Sequence, residues 1–432
     1  GLLLVEGGGL LAGFGGLFGL LLGAALAVPW AVRWMAGAAA RPAGWIAGTP
    51  GRMAARGVVA GLSRSGVAAT ALVIAVAAVI GVSVMIDSFR AGLVDWLDAT
   101  LTADVYVQAP GPSGQPPPPL DPALAERLAG VEGVTAVGTI RHLRIPAEGG
   151  EIRLRAYDRS GIGELGMPYK ERGAEAWARF QRGEAVYVTE PFAAHRDLAV
   201  GDTLTLTTPA GEQRRPIAAV VKDYTSSEGA VVVSRVFYDA YWADERVTGI
   251  AVYLADGTSP AARIEALRAA AGALGEGVRM RSNAEIRQRS LAIFERTFAV
   301  TRVLRLLAAV VAAAGVFGAL LALALERARE VAVLRALGLT PAQVWGLELG
   351  RTGLLGLLAG LLAVPPGLAV AAALTGVINE RAFGWSLALE LDPLLLGQAV
   401  ALATAAALLA GLYPAWRSAR ISPAEALRDE AS

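Results

Sequence analysis

The chain has 432 residues, 54% of them apolar, a formal net charge of +1 and no cysteine, and its mean hydropathy is +0.49. The missing cysteine excludes disulfides, thiolate nucleophiles and cysteine-based zinc sites, and a near-neutral charge without a basic stripe gives no footprint for nucleic acid. Positive charge is almost all arginine, with lysine only at Lys170 and Lys222. The apolar residues gather in long blocks, so their distribution carries the information.

The chain starts at Gly1 rather than methionine, and no basic segment precedes its first apolar block. That block does not read as a signal peptide; a piece of a longer chain is expected. Crossing a bilayer takes roughly 20 consecutive apolar residues. Five uncharged stretches qualify: 7–30, 65–86, 306–325, 352–379 and 393–416. The fourth holds Pro365-Pro366, which remove backbone donors and are expected to kink or break its helix. Gly15, Gly19 and Gly23 in the first stretch, and Gly356 and Gly360 in the fourth, recur at four-residue spacing. Such spacing suits close helix packing in lipid, either within the chain or between copies.

Arginine sets the orientation. Residues 31–64 carry Arg33, Arg41, Arg52, Arg56 and Arg64 and no acidic residue, and the tail opens on Arg417 and Arg420. The loop after the third stretch has Arg327, Arg329 and Arg335 beside Glu326 and Glu330, whereas 380–392 is acidic on balance. The expected topology places the N-terminus outside, 31–64, 326–350 and the tail inside, and the long segment from Asp87 to about Arg302 outside.

Within that segment, Phe89, Leu93, Trp96 and Leu97 have helical spacing, so a helix is expected to continue from the membrane to Leu101. Residues 103–108 alternate as a strand does. Residues 110–122 are proline-rich, with four consecutive prolines at 116–119, and read as an extended linker before a short helix at 122–129. Strands are expected at 134–145, 151–157, 185–188, 203–207, 217–221, 230–233 and 249–254, with turns at Gly201-Asp202 and 209–212. Helices are expected at 171–182, 234–242 and 260–273, and from Asn283 into the third span. The result is an α+β domain of about 200 residues joined to the membrane by a helix at each end.

Catalytic patterns are missing. There is no G-x-S-x-G, no H-E-x-x-H and no phosphate-binding G-x-x-x-x-G-K-[ST], so the chain is not expected to be an enzyme, to carry a cofactor or to bind ATP itself. Ser226-Ser227-Glu228 reads as a polar turn. His142 and His195 lack carboxylates at ligand spacing and are expected to be exposed or hydrogen-bonded, not metal-bound.

Three stretches carry a resemblance. Glu326-Arg327-Ala328-Arg329-Glu330-Val331-Ala332-Val333-Leu334-Arg335-Ala336-Leu337-Gly338 is similar to the cytoplasmic coupling segment of FtsX/MacB-type ABC transporter permeases. Tyr413-Pro414-Ala415-Trp416-Arg417 with Arg420, Pro423, Glu425, Leu427 and Arg428 resembles that family's C-terminal pattern. Met53 to Arg56, Asp87 to Arg90 and Trp96-Leu97-Asp98 resemble the approach to its periplasmic domain. The resemblance covers essentially the whole chain, more weakly over 110–285. One span more than the four-span members resembles the longer subfamily, in which two modules are fused through linker spans; this chain would be the second module.

The resemblance implies a layout: linker span 1–30, basic cytoplasmic loop 31–64, span 65–86, outside α+β domain with stalk helices 87–302 and span 303–325. Coupling segment 326–350, span 351–379, outside loop 380–392, span 393–416 and cytoplasmic tail 417–432 follow. ATPase coupling would rest on Arg327, Glu330, Val331, Leu334, Arg335, Ala336, Leu337 and Gly338. The charged residues there flank apolar ones, so an amphipathic helix can lie at the inner membrane surface. Gly338 followed by Thr340-Pro341 gives a helix stop and a new N-cap. Implied partners are a separate ABC ATPase, a second copy or paired permease module, and membrane lipids, in a bacterial inner (cytoplasmic) membrane that the chain crosses several times. In such permeases nucleotide-driven closure moves the outside domain. Apart from the proline-interrupted fourth stretch, the membrane interior shows no charge, and intramembrane charges mark polar-solute paths. A lipid, lipoprotein or hydrophobic substrate is therefore expected. The other reading is a scaffold or signalling protein that regulates an extracytoplasmic hydrolase or senses a ligand.

Overall fold

The computed structural model describes residues 9–112, 115–147, 150–159, 161–164, 166–326, 333–335 and 337–420. In chain order the elements begin with α1 (Leu10–Thr100), β1 (Val105–Gln108), α2 (Ala123–Ala129), β2 (Val134–Ala147), β3 (Gly150–Asp158), β4 (Tyr169–Arg172) and α3 (Ala176–Gln181). Then come β5 (Val186–Thr189), α4 (Glu190–Arg196), β6 (Thr203–Thr208), β7 (Gly211–Val221), β8 (Val231–Ser234) and α5 (Arg235–Tyr241). The chain continues through β9 (Gly249–Leu254), α6 (Pro260–Ala271), β10 (Arg279–Ser282), α7 (Asn283–Glu326), α8 (Pro341–Ala373), α9 (Asn379–Phe383) and α10 (Pro393–Arg420). They form two compact units: a helical one of residues 1–89, 298–378 and 388–432, and a sheet-based one of residues 90–297 and 379–387.

In the helical unit, four helices among the described residues are long and apolar enough to cross a membrane: Leu10–Trp45, Ala69–Thr100, Pro341–Phe383 and Pro393–Arg417. The expected third span at 306–325 falls in α7, a helix of 44 residues, many of whose side chains beyond 300 lie outside the described residues. Residues 31–64 are not a loop. They lie within the helical run of α1, interrupted at Gly48, whose φ of +63° only glycine adopts freely, two residues before Pro50. The two limbs meet: Val28, Val32 and Ala36 share a core with Val58, Ala69 and Leu72. Alanine and methionine there favour helix, and the basic residues do not oppose it.

Pro365-Pro366 do not break α8, which stays helical through Ala373 and then widens into a π-turn at Leu374–Ile378. Gly367 follows directly, where an added Cβ would lie 2.8 Å from Ile80; tight packing holds the helix through the missing donors. Gly356 and Gly360 face α10 of the same chain, where a Cβ on Gly356 would meet Ala407 at 2.5 Å and one on Gly360 the Val400 Cα at 3.0 Å. Gly19 and Gly23 have nothing within 4 Å, so only the second glycine pair is a packing seam within the chain.

The second unit is a ten-stranded sheet in the order β10-β1-β9-β2-β3-β8-β5-β7-β4, with β6 hairpinned onto β7 through the turn at 209–210. β3–β8 and β5–β7 are parallel; the other pairs are antiparallel. β5 and β8 are buried at every position, as continuous apolar runs predict. Val186 and Val188 point into one core with Phe192 and Phe237, and Tyr187 into another with Phe180 and Trp177. At the other end of the sheet, α2 and α6 cover one face only, over Val105, Val107, Ile250 and Val252.

Three elements were not visible in the sequence pattern. β4 and β10 are four-residue strands at the two ends of the sheet, each paired on one side only, and α4 follows β5 without a linker. The helix expected at 171–182 shrinks to Ala176–Gln181, because Tyr169–Arg172 pairs with β7 and Glu175 turns the chain at a φ of +51°. His195 is exposed. His142 hydrogen-bonds Thr248 Oγ1 through Nδ1 at 2.9 Å.

Two outcomes test this packing. Gly356→Ala and Gly19→Ala gain the same helix propensity, but only the first adds a methyl against Ala407; it is expected to lower stability in detergent by about 1–3 kcal/mol, and Gly19→Ala is not. The second outcome concerns pH. Burial, then the guanidinium of Arg155, hold the His142 imidazole down at about 3 against the pull of Asp223. The unfolded chain protonates this group near 6.5, so it binds more protons between those values and stability must fall as pH drops through that window. Burial raises the Asp244 carboxyl, but hydrogen bonds from Arg246, Tyr238 and Arg141 hold it well below its ordinary 3.8; its contribution is present above that pH and lost below. Thermal unfolding of the full chain against pH should show both losses, with His142→Asn flattening only the upper one.

Candidate functional site

The described part of the expected coupling segment is a helix end and a helix start within eight residues. Arg327, Glu330, Val331 and Ala336 lie outside the described residues; Leu334, Arg335, Leu337 and Gly338 are described. Leu339 N–H donates to Leu334 O at 3.1 Å and Gly338 N–H to Arg335 O at 3.0 Å, with Gly338 at a φ of +102°. These paired bonds around a left-handed glycine form a Schellman stop.

The next helix starts at once. Thr340 Oγ1 accepts from Gln343 N–H at 3.3 Å, and Gln343 Oε1 accepts from Thr340 N–H at 2.9 Å, with Pro341 at the first position. Leu339 packs on Val344, which is 1% exposed, completing a hydrophobic staple outside the capping box. The helix stop and N-cap read from Gly338, Thr340 and Pro341 are thus present. Leu337 is 76% exposed and Val333 44%, so a rigidly capped turn presents apolar side chains largely uncovered among the described residues.

In the sheet unit, residues of the motif around 87–98 fasten α1 to α7. Arg90 pairs with Glu295 at 3.6 Å, and Asp98 with Arg287. Asn283 donates its side-chain amide to Leu101 O, and Trp96 Nε1 donates to Lys222 O at 3.1 Å. The ion pairs are exposed and individually worth little; the register they mark is what matters.

A further cluster has no counterpart in the sequence reading. Glu190, 2% exposed, opens α4 with Pro191 behind it. Its Oε1 accepts from Lys170 Nζ and, at 2.9 Å, from the Ser386 backbone N–H. Ser386 lies in the 379–387 segment. Around it, Trp385 meets Tyr224 edge-on at 5.5 Å, Tyr224 meets Trp96 at 5.8 Å, and Gly384, at a φ of +73°, leaves no room for a Cβ against the Pro191 Cα. Glu190 thus clasps the segment onto the sheet. The one available signal was lysine: Lys170 is one of only two in a chain that otherwise uses arginine.

Among the described residues there is no group of three or more metal-ligating side chains. The Ser226–Glu228 stretch is a bend in which Ser226 Oγ accepts from Glu228 N–H at 3.1 Å.

The chain is similar to known proteins. The family model for the FtsX-like permease C-terminal region matches residues 302–423, and that for the MacB-like periplasmic core domain residues 65–270. An uncharacterized ABC transporter permease protein of Mycobacterium tuberculosis is 37% identical over 436 residues, covering 99% of this chain and 51% of its own length. The lipoprotein-releasing system transmembrane protein LolC of Xylella fastidiosa is 33% identical over 118 residues, 24% of this chain and 29% of LolC. The chain thus spans about half the length of the mycobacterial relative or less in the case of LolC. The periplasmic region of MacB from Actinobacillus actinomycetemcomitans aligns over 45% of this chain and 94% of its own, at 12% identity and a TM-score of 0.35. With membrane-length helices, an inserted α+β domain and both family models in their expected order, the chain is a multi-pass membrane protein that belongs to the FtsX/MacB-type family of ABC transporter permeases.

Proposed function

We propose that the chain couples ATP hydrolysis on a separate ATPase subunit to movement of its sheet domain outside the bacterial inner membrane. The observation that carries this is the capped turn at 334–344 with Leu337 exposed. A partner pressing on that turn meets no slack, because a Schellman stop and a capping box close both helix ends. Residues 327–338 are the proposed docking segment, with Glu330 and Arg335 flanking its apolar side chains. α7, which leads into the turn, also forms part of the sheet unit from Asn283, and α1 does so from Arg90 to Thr100.

The proposed topology has five spans, the third of them 303–325, with 31–64, 326–350 and 417–432 inside. A second copy or a paired module completes the transporter, a reading that the greater length of the mycobacterial relative supports. Lipid, lipoprotein or another hydrophobic substrate fits a membrane interior without charged paths, and the name of LolC, a lipoprotein-releasing system protein, points the same way.

Co-purification tests the coupling. Glu330→Lys and Leu337→Asp should each reduce recovery of the ATPase by about tenfold, the loss of one well-placed interface side chain; full recovery with both variants would leave the scaffold or signalling reading in its place. The clasp gives a second test. Glu190→Ala removes the acceptor of both Lys170 and Ser386 N–H, at a cost of about 1–3 kcal/mol, whereas Glu190→Gln keeps an oxygen for the amide. Backbone hydrogen exchange over 379–387 should accelerate strongly in the alanine variant and only weakly in the glutamine variant.

A further inference from the structure

The five strands β10-β1-β9-β2-β3 have one face under helices, α2 and α6 over the β10 end and α5 over β3; the opposite face is a basin. Alternation fixes which side chains enter it. Met280, Val107, Val252 and Leu154 point to the helix-covered cores, so Arg279 and Arg281, Tyr106 and Gln108, Gly249 and Ala251, Ile140 and His142, and Arg153 and Arg155 point to the other face. The registers place them in rows: Arg281 opposite Tyr106, Tyr106 opposite Ala251, Ala251 opposite Gly138 and His142 opposite Arg155. All of these residues line one cavity of about 590 Å³, which Pro116 and Pro117 also line. That volume suits a small ligand, for which pockets of about 300–1,000 Å³ are usual.

The basin is chemically lopsided. Its centre is small and apolar, with Gly249, Ala251 and Ile140 as floor. At the β3 rim each cation has its acid: Arg155 pairs with Asp223 at 2.9 Å and Arg153 with Glu228 at 3.2 Å. At the β10 rim Arg279 forms no ion pair among the described residues, and Arg281 has only Glu285 at 3.5 Å. One cation without an acid among the described residues, Arg279, therefore sits beside Arg281 at one end of an apolar trough. Four strand spacings, about 19 Å, separate the rims, which accommodates an extended acyl chain laid across the strands. A peptide strand is a poorer fit, because backbone groups on a sheet face are already paired and strand addition needs an edge.

We propose that this basin binds a single-chain amphiphile with an oxyanion head, the head at Arg279 and Arg281 and the chain over Gly249, Ala251 and Ile140. Carboxylate and phosphate monoester heads share the chemistry. This deepens the reading of an outside domain that handles hydrophobic substrate, and it rests on that reading only for its role in transport; binding is a separate property.

Photolabelling of the full chain in lipid nanodiscs tests it, with a long-chain fatty acid carrying a diazirine as the probe and mapping of labelled peptides by mass spectrometry. Label is expected on peptides containing β9 and β2. It should fall about tenfold or more in the Arg279→Glu, Arg281→Glu double variant, the loss of a charge-assisted bond, and persist in Arg279→Lys. Ala251→Phe should exclude the chain; if that variant fails to fold, the rim charge reversal decides. Competition by unlabelled fatty acid against lysophosphatidate distinguishes the two heads. Label confined to the membrane-spanning helices, equal labelling of β9 by the methyl ester, or an unchanged signal in the double variant would each overturn the proposal. Loss of basin labelling with the ATPase still co-purifying removes the ligand site alone, and the converse removes the coupling alone.

Discussion

A ten-stranded sheet has two faces to protect from water, and this domain has helices enough for both along only part of its width. β5 and β8 are enclosed from either side by the Phe192–Phe237 and Phe180–Trp177 cores. From β10 to β3 helices pack down on one side, α2 and α6 at the β10 end and α5 on β3. Much of the domain's character follows from that shortage. The uncovered strands place small, aromatic and charged residues where a core would require branched aliphatics, and Thr248 Oγ1 holds the half-buried His142 by accepting from its backbone N–H and sharing a hydrogen bond with its ring Nδ1.

Burial with compensation recurs wherever charge is hidden. Arg155 reaches Asp223 and Thr225, and Arg141 shares Asp244 with Tyr238 and Arg246. Removing one partner from such a group leaves the other buried and uncompensated, which costs more than the pair contributes. The Glu190 clasp obeys the same rule with a backbone amide as one partner, so that carboxylate fixes a position in the chain as well as a charge.

Elements with strong local rules were legible in the sequence. Membrane-length helices follow from uninterrupted apolar runs, β9 from its alternation, and the 338–344 turn from glycine, threonine, proline and glutamine at fixed offsets. The failures have physical causes. Residues 31–64 looked like a loop because positive charge without acid marks a cytoplasmic segment, but charge placement does not decide between loop and helix. β4 and β10 are too short and polar to alternate visibly, and exist because a neighbouring strand offers an edge. Pro365-Pro366 suggested a break where close packing of Gly367 on Ile80 keeps the helix intact. The clasp and the basin join residues far apart in sequence, such as Lys170 with Ser386 and Arg281 with Tyr106, and no local pattern announces a long-range contact.

The proline run at 116–119 has a consequence that concerns entropy rather than contacts. Each ring fixes its own φ and removes a backbone donor, so this strap has few conformations to lose and no N–H of its own to strip of water where Pro116 and Pro117 line the basin. A strap of ordinary residues would give up about 1–2 kcal/mol of backbone freedom per residue on ordering. Here most of that freedom is already gone in the unfolded chain. This part of the basin's wall is therefore stiff by covalent structure, and whatever enters does so without having to order it.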